Sequence, residues 1–330
     1  GTADPGRAAR YYVGTEVVIW TPRRASGRPL TFQPLPDFAA VRSDPEALAL
    51  AIDTAVASLA PRARMEGSTP KALQGRAVLT EALRRFAMSA DTRLTKFIGL
   101  LAQLPEDVSG LERATSLASE MAQTLEAQRT IDPLFGGHGE PADPSVLLTP
   151  TPGKRARISV ISFVGLPDDL QRQGFVNQLQ MALFSWARQH PAKDRPLSGL
   201  FVMDEAQNFA PSGKQTPCTE STLSLASQAR KYGLGLIFAT QAPKGLHNRI
   251  PGNATTQFFG KLGSQVQIET ARAYATAKGG RVDDIGALGR GHFYVTSDGV
   301  DLQKIATRHC LSHHPPSPLT EEEVITRSTM

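Results

Sequence analysis

Two rhythms of apolar and polar residues run along this chain, and the switch between them divides it. Residues 15–21, TEVVIWT, form a short apolar run between Gly14 and Pro22, the pattern of a buried strand. From about 44 to 128, Ala, Leu, Glu and Arg dominate and apolar residues recur at helical spacing. Five helices are predicted there, at 44–60, 68–88, 91–103, 109–116 and 116–129, the first capped by Asp44 ahead of Pro45. Their apolar stripes serve core packing, and no chemistry is assigned to them. Residues 136–157 are rich in Pro and Gly and read as a loop or linker. Beyond them strands are predicted at 158–164, 199–203, 235–240 and 258–262, helices at 168–190, 220–232, 266–277 and 282–287, and a hairpin at 292–297 and 301–306. Strands alternating with helices build a parallel sheet, whose ligands sit beyond the carboxyl ends of the strands. The expected organisation is α/β. Residues 1–42 and 158–311 form the core, 43–135 an all-helical insertion, 136–157 a linker and 312–330 a tail in which either Thr320 caps a short helix at 321–327 or the segment frays.

Composition narrows the class. With 330 residues, 40% hydrophobic and 20% charged, the chain affords a packed core and is not globally disordered. The net charge of +5 is uneven: residues 1–150 carry 16 basic and 17 acidic side chains, whereas residues 151–311 carry 19 and 11. A negatively charged partner should therefore meet the C-terminal half. Two cysteines, Cys218 and Cys310, exclude a disulfide framework and fit a reducing compartment. No apolar run approaches the ~20 residues of a bilayer span, and the N-terminus lacks a signal-peptide stretch, so no membrane insertion and a cytoplasmic location are expected. His309, Cys310, His313 and His314 are metal-ligand types, but their spacing matches no standard zinc module. The reading preferred there is a loop with Cys310 packed as a small hydrophobe.

Candidate chemistry lies at two strand ends. Leu200–Glu205, LFVMDE, is an apolar strand ending in two acids, the Walker B pattern. Asp204 would hold Mg²⁺, largely through its water shell. Glu205 would orient the water that attacks a γ-phosphate. The alternative is a strand followed by an acidic N-cap. Gly235–Gln241, GLIFATQ, ends the next strand in an amide that suits a γ-phosphate sensor, since Gln bonds both phosphate and water; an ordinary strand end before the turn at Pro243 is the alternative. Arg230, in SQARKYGLG, either opposes a helix dipole or crosses a subunit boundary as an arginine finger.

The order strand, long helix, LFVMDEAQNFAP, helix, QARKYGLGLIFATQAPKGL resembles the HerA/FtsK superfamily of RecA-like ATPases. It looks closest to the HerA-like branch, whose cousins include the VirB4 and TraD conjugation ATPases. Asp204–Phe209 is similar to that family's Walker B and its continuation, Ala229–Gly233 to the segment with the trans-acting arginine, and Ala239–Pro243 to its sensor strand. EVVIWTPRRASGRPL resembles a strand and loop that follow the first core strands. The resemblance covers most of the chain outside residues 43–150. It implies a RecA-like P-loop NTPase core with ATP and Mg²⁺ as cofactors. It further implies a homo-oligomeric, hexameric ring that translocates on DNA, with a nuclease or secretion component as partner. Lys214, Lys244 and Arg249 are then candidates for contact with the phosphates of DNA, duplex rather than unpaired because aromatic interleaving is lacking. Rival readings are a conjugation or secretion ATPase and a non-catalytic assembly module.

One departure bears on activity. A Walker A loop needs G-x-x-x-x-G-K-S/T, yet the Gly-Lys pairs at 153–154, 213–214 and 260–261 are not followed by Ser or Thr. Residues that cradle nucleotide are therefore unassigned. The expectation is a chain that begins just after its P-loop, in keeping with a start at Gly1 rather than Met. A protein that had lost nucleotide binding would have no physical need for Glu205, Arg230 and Gln241 together.

Overall fold

A computed structural model describes residues 4–330 except 90, 92, 133, 138, 278, 309, 311–314 and 316. His309, His313 and His314 thus lie outside the described residues. The chain forms two compact units, Gly1–Ile19 with Asp143–Val324, and Trp20–Ala142 with Ile325–Met330.

Helix α1 (Pro5–Gly14) precedes strand β1 (Thr15–Trp20). No helix is predicted from the sequence over the residues of α1. Its start is local chemistry: Asp4 accepts from the Gly6 and Arg7 amides at 3.1 and 3.2 Å, and Pro5 occupies the first turn. Strand β2 (Leu30–Thr31) and the short helix α2 (Phe38–Val41) lead into the helical unit. Helix α3 (Pro45–Arg62) starts on the expected cap, Asp44 accepting from Glu46 and Ala47. Helices α4 (Pro70–Ala87), α5 (Leu94–Ala102) and α6 (Ala114–Ile131) complete it. The helices expected at 109–116 and 116–129 are instead one: Gly110 keeps 109–113 out of helix, and nothing near 116 interrupts it. Leu59, Leu79, Leu83, Phe97, Leu117 and Met121 are fully buried at the centre, with Phe86 and Phe97 edge to face at 5.3 Å.

The Pro- and Gly-rich stretch is less irregular than its composition suggests. Strand β3 (Glu140–Pro141) pairs parallel with β2, and Asp143 caps helix α7 (Pro144–Leu148). Strand β4 (Ala156–Ile161) then lies beside β1, where Arg157 pairs with Glu16 at 2.9 Å. That guanidinium, helped by the Thr151 amide, holds the Glu16 carboxyl below the usual range.

Helix α8 (Asp169–Gln189) is capped by Asp168. Strand β5 (Gly199–Met203), helix α9 (Thr219–Gln228) and strand β6 (Leu234–Phe238) follow, and β5 pairs parallel with β6, Gly199 opposite Leu234 and Met203 opposite Phe238. The helix expected over 220–232 tightens at its end into a 3₁₀ turn, Ala229–Tyr232, closed by Gly233 at φ 73°. Strand β6 stops two residues short of Thr240. Between α8 and α9 the buried Gln180 accepts from Ser221 and Thr222 at 2.7 and 3.0 Å. Ala187, Leu225, Ala229 and Leu234 close the core on that side. The other face of the β5–β6 pair is open: Leu200, Val202 and Ile237 are 48%, 57% and 48% exposed.

After helix α10 (Arg249–Asn253), strand β7 (Gln257–Phe259) departs from expectation. It does not join a parallel sheet but pairs antiparallel with β8 (His292–Ser297), itself hairpinned to β9 (Val300–Ala306). Helix α11 (Gln265–Ala277) packs on this sheet, and the helix expected at 282–287 is a single 3₁₀ turn, Ile285–Ala287, with Gly286 at its centre. Helix α12 (Glu321–Ser328) has a capping box, the Glu323 amide donating to Thr320 Oγ1 and the Thr320 amide to Glu323 Oε2. Cys310 is exposed, not packed as a small hydrophobe. Among the described residues no helix is long and apolar enough to cross a membrane.

Candidate functional site

The parallel register brings the ends of β5 and β6 side by side. Two backbone bonds carry the pairing past the strands, Ala239 N–H to Met203 O and Ala206 N–H to Ala239 O, each 2.9 Å. The chain turns sharply at this seam. Glu205 takes left-handed angles, φ 49° and ψ 44°, which a non-glycine residue adopts only when its surroundings impose them. Its own amide donates to Asp204 Oδ1 at 2.9 Å.

The turn presents the Glu205 carboxylate to two amides. Gln241 Nε2 donates to Oε1 and Gln207 Nε2 to Oε2, both at 2.5 Å. Gln207 in turn accepts from Thr240 Oγ1 at 2.6 Å, and that hydroxyl receives the Ala242 amide at 3.0 Å. Gln241 is fixed from behind, its carbonyl accepting from Gln267 of α11 at 2.6 Å. The structure therefore joins Asp204, Glu205 and Gln241 in one constellation and adds Gln207 and Gln267. The signal for Gln207 was its place two residues after Glu205 in DEAQ, within reach only because of the left-handed turn.

A carboxylate held by two neutral donors stays a directed acceptor, and its half-exposed setting leaves it open to water. Asp204 is exposed, and only its Oδ1 is engaged among the described residues. An exposed carboxylate with a free oxygen fits Mg²⁺, which takes oxygen ligands and keeps several waters. Among the described residues the first two Gly-Lys pairs form no phosphate-cradling loop: Lys154 donates to Val13 O at 2.9 Å, and Gly213–Lys214 lies in an exposed loop.

The three candidate cations for nucleic acid lie in segments beyond the same strand ends. Lys214 and Lys244 are exposed, and their loops are zipped together by Ser212 N–H to Gly245 O at 2.8 Å, Ser212 Oγ to Lys244 O at 2.6 Å and His247 N–H to Ala210 O at 2.9 Å. Arg249, also exposed, opens α10. Arg230 is not among them. It sits exposed in the 3₁₀ turn before β6, at the amino end of the strand, and five residues of strand separate the two ends by about 16 Å.

These features define an α/β architecture in which an acid-ended strand lies parallel to an amide-ended one. No family model matches the chain. A curated relative, the DNA double-strand break repair helicase HerA of Pyrococcus furiosus, is 26% identical over 114 residues, 34% of this chain and 20% of the relative. The chain thus matches only about a fifth of that relative's length. Among solved structures, VirB4 of Thermoanaerobacter pseudethanolicus matches at 15% identity over 94% of this chain and 88% of its own, with a TM-score of 0.47. The genome packaging NTPase B204 of Sulfolobus turreted icosahedral virus 2 matches at 18% identity over 48% and 69%, with a TM-score of 0.36. Over those 114 residues the chain is similar to a HerA helicase.

Proposed function

We propose that this chain belongs to an ATP-driven DNA translocase of the HerA type, working as a homo-oligomeric ring in the cytoplasm. In this reading the helical segment 43–135 is an insertion into the motor core, and a nuclease or other partner uses the translocation. The observation that carries the proposal is the bond from Gln241 to Glu205, which couples the amide-ended strand to the acid-ended one at 2.5 Å. When bound, Mg²⁺ and ATP supply the electrophilic phosphoryl group. Asp204 would hold the Mg²⁺, which would supply positive charge to the phosphates. Glu205, kept in place by Gln207, orients the attacking water and accepts its proton. Gln241 reports the γ-phosphate by exchanging its bond to Glu205 for one to phosphate. Arg230, remote from its own Glu205, serves the nucleotide of a neighbouring copy. Lys214, Lys244 and Arg249 contact the phosphates of duplex DNA.

A motor of this kind needs a phosphate-cradling loop, which is proposed to lie outside these 330 residues. The open apolar face of β5–β6 supports that reading, because parallel strands are ordinarily covered on both faces. The test is DNA-stimulated ATP hydrolysis by the full-length gene product. Glu205→Gln should abolish turnover while nucleotide still binds; turnover retained in that variant rejects the proposal.

A further inference from the structure

The amino ends of β5 and β6 carry a second concentration of charge. The last turn of helix α8 carries Arg188, and the loop after it carries His190, Lys193 and Arg195; the 3₁₀ turn before β6 carries Arg230 and Lys231. These two segments are laid on one another. Ala192 N–H donates to Tyr232 O at 3.3 Å and Ser198 N–H to Gly233 O at 2.8 Å. A Cβ on Gly233 would stand 2.3 Å from that of Ala192, so the loop rests directly on the turn. The loop is also shaped from within. His190 stacks on Trp186 at 5.0 Å, Lys193 is held at φ 53°, and Gln189–Arg195 line a cavity of about 330 Å³.

All five lysine and arginine side chains are exposed, and among the described residues none is in an ion pair. The only acid in these two segments is Asp194. Like charges gathered without counter-charges repel, a cost that a polyanion removes. We propose that this shelf is an oligophosphate-binding site, with Lys193 and Arg195 gripping the phosphates that Arg230 approaches. It deepens the reading of Arg230 given above and rests on it only for the source of the phosphates. That source is either the nucleotide of a neighbouring copy or a nucleic-acid backbone.

Calorimetric titration of the whole chain with sodium tripolyphosphate at low salt reads the site without any hydrolysis. Lys193→Ala with Arg195→Ala should weaken binding about tenfold or more, and Lys193→Arg with Arg195→Lys should restore most of it, circular dichroism being unchanged in both. Added salt should weaken the wild-type interaction. No heat from the wild-type chain, or equal affinity in the alanine pair, overturns the assignment. Competition by a short duplex DNA assigns the phosphates to nucleic acid. Failure of the duplex to compete, with ATP-dependent self-association of the full-length gene product lost in the alanine pair, assigns them to a neighbouring copy's nucleotide. A Glu205→Gln protein that still turned over would remove the motor and leave tripolyphosphate binding untouched, so the two failures are separable.

Discussion

Glu205 shows how a single backbone choice organises a site. Its left-handed turn costs on the order of 1 kcal/mol or more, and it brings Gln207 and Gln241 onto opposite oxygens of one carboxylate. In the proposed motor, Gln207→Ala should therefore act through Glu205: kcat falls about ten- to a hundredfold with KM for ATP nearly unchanged. A matching rise in KM would mean that Gln207 touches nucleotide directly. Away from the site, the pair Glu16–Arg157 gives a pH dependence whose sign is fixed. The carboxyl is lowered in the folded chain, so its contribution is complete above the ordinary carboxylate range and is lost as pH falls through the folded value. The urea midpoint of Glu16→Gln should lie below wild type at neutral pH and converge with it in acid.

At the scale of elements, caps and strand patterns were readable and departures had local causes. Asp44 and Thr320 start helices as their sequence context predicts, Asp168 caps the helix expected from 168, and β5 occupies the expected 199–203. Helix α6 was misread as two because apolar spacing alone does not mark a helix start, whereas Gly110 does. The tightened turn at Ala229–Tyr232 depends on Gly233 and on the loop pressed against it, a contact between residues some forty apart in sequence that no local pattern carries. Gly233→Ala should accordingly destabilise the chain by more than about 1 kcal/mol, measured by chemical denaturation, because both the positive φ and the Ala192 methyl oppose a side chain. Phe97→Ala, in the centre of the helical unit, should cost about 3–5 kcal/mol by the same measurement.

Over the whole chain, the sequence placed the acids and the amide at neighbouring strand ends but could not show their bonds. Gln267 left no signal because its role depends on a helix returning from further along the chain, and Gln207 was marked only by its place in DEAQ because its role depends on a turn. Composition likewise located positive charge in the C-terminal half without saying that it collects at opposite ends of β5 and β6. The two ends should separate by experiment. Lys214→Ala, Lys244→Ala and Arg249→Ala together should lower duplex affinity and flatten its dependence on salt by up to about three counterions, as read by fluorescence anisotropy.

The open face of β5–β6 also governs how the chain behaves in the tube. Leu200, Val202 and Ile237 form a greasy strip beside strand edges that pair with no third strand among the described residues, the combination that recruits more strand from any passing chain. Expressed alone, the protein should light up hydrophobic dyes while still folded and be retained on phenyl resin. It should lose yield to inclusion bodies as induction temperature rises, and Val202→Thr with Ile237→Thr should recover soluble yield.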